Sequence, residues 1–257
     1  MTNSISKRDY ALEEKERVRF IQETLRQAGA RGIVFANSGG KDCALAGVLC
    51  KKACENTVSL ILPCGVKRSY NDDKADALEL AGHFDIHTRI IDLKETFDVL
   101  ARALEPSLTA LAASNIAPRL RMQVLYAIAL SEGRLVAGTG NRSEIFLGYF
   151  TKWGDGAYDF NPIADLTVTE VYEFLRYLNV PPGRIEKPPS AGLFEGQTDE
   201  GDLGFSYADL DRFLLTGEAS DENKEKFMRH HNSTKHKRRY PCVYGAYNTR
   251  KDDDYGK

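Results

Sequence analysis

The stretch IVFANSGGKDCALA, residues 33–46, decides the fold that this sequence predicts. Its apolar beginning at residues 33–36 predicts a buried strand, and the run rich in alanine and leucine at residues 44–53 predicts a helix. The Ser-Gly-Gly segment at residues 38–40 forces a tight turn between them. Such a turn is an anion pocket, because unpaired backbone N–H groups and the positive end of the helix dipole meet there. We therefore expect this stretch to bind phosphate.

The composition is that of a globular protein. Of its 257 residues, 42% are hydrophobic and 28% are charged, which suffices for one large α/β domain or two small ones. The formal net charge of -2 gives no global electrostatic reason to expect nucleic acid. No apolar run is long enough to span a membrane, and the N-terminus lacks a signal-peptide pattern. Five cysteines without a CxxC pair predict reduced thiols in a cytoplasmic protein.

Strands and helices alternate along the first part of the chain. Apolar runs predict three further strands at residues 58–62, 88–93 and 134–137. Amphipathic or apolar periodicity predicts further helices at residues 9–29, 72–84, 95–112 and 117–131. This alternation favours an open parallel β-sheet with helices on both faces, a Rossmann-like α/β fold. Ligands of such sheets bind beyond the carboxyl ends of the strands.

Two of these strand ends carry polar and glycine residues, at 38–40 and at 138–141, and we expect them to lie side by side. Asp42 follows the first of them, where a carboxylate would repel phosphate unless a cation accompanies it. Magnesium held by Asp42 resolves this conflict, and Glu144 beyond the second strand end is the expected second ligand. Taken alone, however, Glu144 is more commonly explained as a solvent-exposed glutamate at the start of a helix than as a metal ligand.

The glycine turn fits no general nucleotide-binding motif. It is not a Walker A loop, because the upstream glycine required before Gly40 is missing, and it is not a G-x-G-x-x-G turn. A plain strand–turn–helix connection is the alternative that this stretch alone leaves open. With Asp42 taken into account, we interpret the turn as the pyrophosphate-binding element of an ATP-using enzyme.

The pattern loosens after residue 141. A helix is predicted at residues 168–178, with Thr167 as its N-cap and Glu170 three residues later. Four prolines, Pro181, Pro182, Pro188 and Pro189, predict an extended loop, and residues 190–204 predict a mobile lid. A short final helix is predicted at residues 207–215, followed by a basic tail at residues 229–239.

Further segments match one family in its order along the chain. They are SGGKD (38–42), RLRM (119–122), GTGNRSE (138–144), GYFTKWGDG (148–156), KPPSAGL (187–193), GQTDE (196–200), DLG (202–204) and HKR (236–238). Together they resemble the NAD synthetase family of the N-type ATP pyrophosphatases, over about residues 15–240. Each segment is a weak signal alone, and their shared order makes the resemblance specific.

The resemblance implies a ligase that works in two steps. The nicotinate carboxylate of deamido-NAD attacks the α-phosphate of ATP, and ammonia then displaces AMP from the adenylated carboxyl group to give NAD. Positioning and charge neutralisation, rather than a protein nucleophile, would carry such chemistry. The resemblance further implies that the enzyme requires Mg²⁺ and forms a homodimer. It also implies a single domain over residues 1–257 without a glutaminase domain, so that free ammonia or ammonia from a partner is used.

The resemblance also implies roles for particular residues. ATP would be bound by Asn37, Ser38, Gly39, Gly40, Lys41, Asp42, Cys43, Thr139 and Ser190. Mg²⁺ would be held by Asp42 and Glu144. The dinucleotide would be bound by Arg119, Lys152, Asp159, His236 and Lys237. Lys152 suits the nicotinate carboxylate as a point charge, although an exposed loop lysine is the alternative, and Arg229 and His230 fit a solvated charge run better.

Two residues depart from the family pattern. The phosphate loop ends in Cys43 where serine or threonine is usual, and a thiol is a weaker hydrogen-bond donor. At a helix N-terminus, Cys43 is also a candidate for a lowered pKa. Val168 stands where many members have a lysine that binds ATP, and we expect Lys41 to compensate.

These departures leave alternatives open. An enzyme with this scaffold could amidate nicotinate mononucleotide instead of the dinucleotide. The chain could also be another ATP pyrophosphatase of the same superfamily, one that thiolates tRNA or amidates another nucleotide. A nucleotide-binding protein without catalytic activity is the third alternative. The apolar positions of the helix predicted at residues 117–131 could be dimer contact or core.

Overall fold

A parallel sheet forms the centre of the fold in a computed structural model that describes residues 7–64, 72–180, 199–241 and 244. Within these residues its strands are β1 (Gly32–Ala36), β2 (Thr57–Ile61), β3 (His87–Ile90) and β4 (Arg134–Val136), in the order β3-β2-β1-β4. All three neighbouring pairs are parallel. The chain winds outward from β1 to β3 and then returns to place β4 on the other side of β1. This reversal leaves a crevice at the carboxyl ends of β1 and β4.

Helices connect and follow the strands. They are α1 (Tyr10–Ala28), α2 (Lys41–Ala53), α3 (Asp72–His83), α4 (Lys94–Leu104), α5 (Ala110–Ser114), α6 (Ile116–Glu132), α7 (Arg142–Leu147), α8 (Val168–Tyr177), α9 (Asp199–Leu203), α10 (Tyr207–Thr216) and α11 (Asp221–Ser233), with a 3-10 turn at Lys235–Lys237. Among the described residues, none of these helices combines the length and apolar character needed to cross a membrane.

Alternate residues of β1 point into two different cores. Ile33 and Phe35 join one cluster with residues of α1, α2 and α8, of which Phe174 is fully buried. Val34 joins a second cluster on the opposite face, with Leu125 of α6. Because side chains alternate along a strand, this division covers both faces of the sheet. The predicted fold class, an open parallel sheet with helices on both faces, is confirmed.

A third core joins the helices that follow the sheet. Leu147 of α7, Val168 of α8, Leu210 of α10 and Phe227 of α11 are all buried in it. The prediction that the helix at residues 207–215 is the final one is therefore wrong, because α11 follows and contains the start of the basic tail. Ser220 caps α11 by accepting from the N–H of Asn223, which provides a local reason for its start.

Two further helix boundaries differ from prediction. The helix predicted at residues 95–112 ends at Leu104, because Pro106 lacks an N–H donor and disfavours helical backbone at the residue before it. Helix α2 begins at Lys41 rather than at residue 44, with Gly40 as an extended N-cap. The segment expected to bind phosphate, residues 37–43, is thus helical from Lys41 onward. The predicted helix at residues 168–178 is confirmed, with a capping box between Thr167 and Glu170.

Part of the predicted loop and lid lies outside the described residues. This applies to Pro181, Pro182, Pro188 and Pro189, and to the predicted lid up to residue 198. In the remaining part of the predicted lid, the chain forms α9.

Two glycines in helices provide a matched test of the packing between α2 and the sheet. A Cβ at Gly47 would lie 2.5 Å from Cζ of Phe35, whereas a Cβ at Gly82 of α3 meets nothing within 4 Å. We expect Gly47→Ala to lower the free energy of unfolding by about 1–3 kcal/mol through overpacking. Gly82→Ala should raise it by up to about 1 kcal/mol, because alanine is the better helix former. Urea unfolding measures both, and equal effects of the two substitutions would contradict the close packing at Gly47.

Candidate functional site

The turns after β1 and β4 meet at the carboxyl edge of the sheet. The side-chain amide of Asn141, which follows β4, donates from Nδ2 to Oδ1 of Asp42 in α2 at 3.0 Å. Asn141 is fully buried and the side chain of Asp42 is mostly buried, so this contact is largely shielded from solvent. The two strand ends predicted to lie side by side therefore do so, and the crevice between them is the candidate site.

The glycine turn is held by its own side chains. Asn37 accepts from the N–H of Gly39 at 3.1 Å and donates from Nδ2 to the carbonyl of Ala77 in α3 at 3.2 Å. Gly39 has a φ of 77°, a left-handed conformation that favours glycine. Gly40 caps α2 without a side-chain acceptor, which leaves the positive end of its dipole without the usual partner. The turn keeps the character of an anion pocket, and Asn37 shapes it.

Lys41 places a buried positive charge beside Asp42, one of the two predicted metal ligands. Its Nζ lies 2.7 Å from Oδ2 of Asp42 and 5.9 Å from the centre of the Tyr172 ring in α8. Burial alone would lower the pKa of Lys41, but the attraction of Asp42 and Glu144 raises it above the ordinary value of a lysine. Lys41 is therefore a buried, charged ammonium group that serves as counter-ion to both carboxylates.

Asp42 and Glu144 are a donor set that fits Mg²⁺. They come from the two strand ends, and both attract the same buried cation. In the described part of the chain, no group of three or more histidine, cysteine, aspartate or glutamate residues is placed to hold a metal. Magnesium commonly takes only one or two carboxylates and completes its shell with substrate phosphates and water. The pair is thus suited to a metal ion that is shared with a nucleotide.

Cys43 is a buried thiol in the first turn of α2. Its Sγ lies 3.3 Å from Oγ of Ser38, and it also contacts Thr139 beyond β4. Burial raises the pKa of Cys43 above its ordinary value, and the hydrogen bonds with Ser38 and Thr139 only partly oppose this. The expectation of a lowered pKa is therefore wrong, because desolvation outweighs the helix dipole at this position.

Four of the five predicted dinucleotide-binding residues form a connected group. Arg119 donates to the carbonyl of Lys152 at 3.2 Å, and Nζ of Lys152 donates to the carbonyl of His236 at 2.7 Å. Nζ of Lys237 donates to the carbonyls of Gly148 at 2.8 Å and Phe150 at 2.7 Å. The start of α6, the loop after α7 and the basic tail therefore meet. Lys152 is partly buried and is bonded to the basic tail, and its role in binding substrate stays a prediction.

The backbone of Gly148 lies close against the side chain of Thr234, where these segments meet. Gly148 has a φ of 67°, and a Cβ there would lie 2.3 Å from Oγ1 of Thr234. That hydroxyl donates to the carbonyl of Leu147 at 2.8 Å, which ties the end of α11 to the end of α7. Only glycine allows this contact, and it determines where His236 and Lys237 lie.

The fifth residue, Asp159, has structural partners. Its Oδ2 accepts from the N–H of Val136 at 2.7 Å, and its Oδ1 accepts from the hydroxyl of Tyr126 in α6 at 3.3 Å. Burial and the neighbouring Asp159 together raise the pKa of Tyr126 to about 12. Asp159 thus joins β4 to α6. Ser190, predicted to contact ATP, lies outside the described residues.

A buried network around Asp211 was not predicted from the sequence. Asp211 of α10 accepts from Oγ of Ser143 in α7 and from both the N–H and Oγ1 of Thr169 in α8, the last two at 2.7 Å. Burial raises the pKa of Asp211 above its ordinary value. Ser143 in turn accepts from the N–H of Val168 at 3.3 Å. Val168 itself is buried in the third core, which explains an apolar residue at this position.

Asn141 was also missed as a site residue, although the sequence carried a signal for it. The pair Asn141 and Glu144 has the spacing of a capping box, and the structure forms both of its hydrogen bonds at the start of α7. Recognition of this pattern would have predicted α7. The contact of Asn141 with Asp42 depends on the pairing of β1 with β4 and has no local signal.

Comparisons with known proteins agree on one family. The family model described as NAD synthase matches residues 13–241. The NH(3)-dependent NAD(+) synthetase of Carboxydothermus hydrogenoformans is 46% identical over 233 residues, which cover 88% of this chain and 94% of that protein. The structure of NMN synthetase from Francisella tularensis aligns with a TM-score of 0.86 at 34% identity, covering 92% of this chain and 99% of that chain. The NH3-dependent NAD synthetase from Campylobacter jejuni subsp. jejuni NCTC 11168 aligns with a TM-score of 0.78 at 28% identity, and the alignment covers 93% of this chain and 100% of that chain.

The environment of Cys43 predicts slow alkylation of the native protein. A short pulse of iodoacetamide at pH 8 should label Cys54, which is only partly buried, well before Cys43, because burial limits both access to the thiol and formation of the thiolate. Peptide mass spectrometry after quenching measures the two rates in one sample, with Cys54 as the internal control. Labelling of Cys43 ahead of Cys54 would contradict this assignment.

Proposed function

This chain belongs to the NAD synthase family, and on that premise we propose that it amidates the nicotinate carboxylate of deamido-NAD with ammonia, through an adenylated intermediate. It is a ligase of NAD biosynthesis with ATP as co-substrate, and the products are NAD, AMP and pyrophosphate. The observation that carries the mechanism is the placement of Asp42, Lys41 and Glu144 where two strand ends meet. Curated relatives that are NH(3)-dependent NAD(+) synthetases support the reaction.

In the first step, the nicotinate carboxylate attacks the α-phosphorus of ATP and the bond to the β-phosphate breaks. A carboxylate is a poor acyl electrophile at neutral pH, so adenylation supplies the leaving group that the second step needs. The glycine turn and the start of α2 would bind the departing pyrophosphate. Asp42 and Glu144 would hold Mg²⁺, which supplies charge neutralisation to the phosphates.

Lys41 would change its partner during this step. Its ammonium group is bonded to Oδ2 of Asp42, and it would move to the phosphates of ATP when Asp42 serves as a ligand of Mg²⁺. Its ring contact with Tyr172 of α8 keeps it close to the helix whose first residue is Val168. This placement supports the hypothesis that Lys41 replaces the lysine that many family members have at the position of Val168.

In the second step, ammonia attacks the activated carbonyl carbon, the bond to AMP breaks, and the nitrogen loses a proton to solvent. Lys152 is placed to hold the nicotinate carboxylate beforehand, because its hydrogen-bond partner is a neutral carbonyl that an anion can displace. Arg119, His236 and Lys237 would bind the phosphates of the dinucleotide. Asp159 would contribute through its link between β4 and α6.

The quaternary and domain arrangements are part of the same proposal. We propose a homodimer in which α6 contributes to the contact, because Leu130 is 88% exposed on this helix while Leu125 and Met122 are buried in the core. The apolar surface of α6 thus divides between core and solvent. A single domain without glutaminase activity would use free ammonia, or ammonia from a partner.

Nicotinate mononucleotide is the second candidate substrate. The structure of NMN synthetase from Francisella tularensis aligns with a TM-score of 0.86, above the 0.78 of the Campylobacter jejuni NAD synthetase. The identity of 46% to a curated NH(3)-dependent NAD(+) synthetase favours the dinucleotide. Both substrates present the same nicotinate carboxylate, so the mechanism above applies to either.

The reaction itself is tested with the purified protein. Mixing ATP, Mg²⁺, ammonium and deamido-NAD should release AMP and pyrophosphate in a one-to-one ratio with NAD, which coupled assays and chromatography measure. Specificity constants for deamido-NAD and nicotinate mononucleotide should favour the dinucleotide. A higher constant for the mononucleotide would establish the second candidate, and no pyrophosphate release with either would leave a nucleotide-binding protein without catalysis. Glutamine in place of ammonium should give no product.

Lys41→Met tests the role of the buried ammonium group. Methionine keeps most of the volume and loses the charge, so we expect the KM for ATP to rise roughly 10–100-fold, the loss of one hydrogen bond from a charged group. Lys51→Met is the matched control, because Lys51 lies on the same helix and pairs with Glu55 at the surface. Its KM for ATP should equal that of the parent protein. An unchanged KM for ATP in Lys41→Met would refute the proposed compensation.

A further inference from the structure

Asn141 makes three hydrogen bonds to the two predicted metal ligands. Its Oδ1 accepts from the N–H of Glu144 at 3.0 Å, and its own N–H donates to Oε2 of Glu144 at 3.2 Å. Its Nδ2 donates to Oδ1 of Asp42 at 3.0 Å. One buried side chain therefore contacts both carboxylate residues, which come from opposite sides of the crevice.

Capping of α7 explains only part of this arrangement. A cap needs a side-chain oxygen that accepts a hydrogen bond, which serine, threonine and aspartate supply equally well. Thr167 shows this at the start of α8, where it forms the same kind of capping box with Glu170 and is equally buried. The amide donor of Asn141 is additional to the cap, and it is directed at Asp42.

The hydrogen bond from Nδ2 of Asn141 leaves Asp42 able to bind a metal ion. Each carboxylate oxygen has two lone pairs, so Oδ1 can accept from Asn141 and still face a cation. A neutral amide adds no charge that would compete with the metal, in contrast to Lys41 on the other oxygen of Asp42. The hydrogen bond fixes the rotation of the carboxylate, while the capping box fixes the side chain of Glu144.

We propose that Asn141 is a positioning residue that orients Asp42 and Glu144 toward one shared Mg²⁺. The inference rests on the proposed function, which places the metal between these two residues. Groups that orient metal ligands typically contribute 10–100-fold to metal affinity. Asn141 would act through its amide donor on Asp42 and through its cap on Glu144, without touching the metal.

Three variants separate positioning from capping. Asn141→Ser keeps an oxygen that can cap α7 and loses the donor to Asp42, whereas Asn141→Ala loses both. Thr167→Ala is the matched control, because it removes a buried capping box that has no amide donor. The probe is Mn²⁺ in the presence of a non-hydrolysable ATP analogue, with free Mn²⁺ measured by electron paramagnetic resonance. Thermal unfolding of each variant is measured in parallel.

We expect Asn141→Ser to weaken Mn²⁺ binding about 10–100-fold while its Tm stays close to that of the parent. Thr167→Ala should lower the Tm by about 2–4 °C and leave Mn²⁺ affinity unchanged. Asn141→Ala should show both losses. Parental Mn²⁺ affinity in Asn141→Ser would overturn the inference, and so would an equal loss of affinity in Thr167→Ala. If the parent protein itself binds no Mn²⁺ beside the nucleotide analogue, the metal site of the proposed function fails, and the inference fails with it.

Discussion

The parallel pairing of β1 with β4 is the constraint on which the site depends. It aligns Val34 with Val136 and thereby brings two turns from distant parts of the chain to one edge of the sheet. A shift of one residue in this register would send alternate side chains to the opposite face and separate Asp42 from Asn141. Gly138 protects the pairing locally, because a Cβ there would lie 2.5 Å from the ring of Tyr158. The chemistry of the crevice is thus a consequence of strand order.

The charges of the crevice are held in place by contacts with one another and with Asn141. Lys41 and Asp42 lie mostly out of solvent, which costs free energy that their mutual attraction and the hydrogen bond from Asn141 offset. Groups held in this way need little reorganisation when phosphate charge develops. The buried network around Asp211 joins α7, which carries Glu144, to α8 and α10. It thereby helps to hold α7 in position.

Much of this structure could be predicted from the sequence, and the failures have physical causes. The strands, the cap at Thr167 and the meeting of two strand ends follow from local pattern and general topology. Helix α11 was missed because Phe227 is its only buried residue among the charges of that helix, which leaves a weak periodic signal. The start of α2 at Lys41 was missed because every residue from 37 to 42 is polar or glycine. The pKa of Cys43 depends on burial by distant segments, and a helix N-terminus alone predicts the opposite direction.

Within the part of the chain that the structure describes, the hydrogen bonds of Arg119, Lys152 and Lys237 go to main-chain carbonyls. Carbonyls align a cation without cancelling its charge, and although Asp155 also attracts Lys237, a positive patch remains on a protein whose formal net charge is -2. Such a patch attracts a polyanion while the two are still separated by solvent, and dissolved salt weakens this long-range attraction. The capture of a dinucleotide by this patch would therefore slow as ionic strength rises.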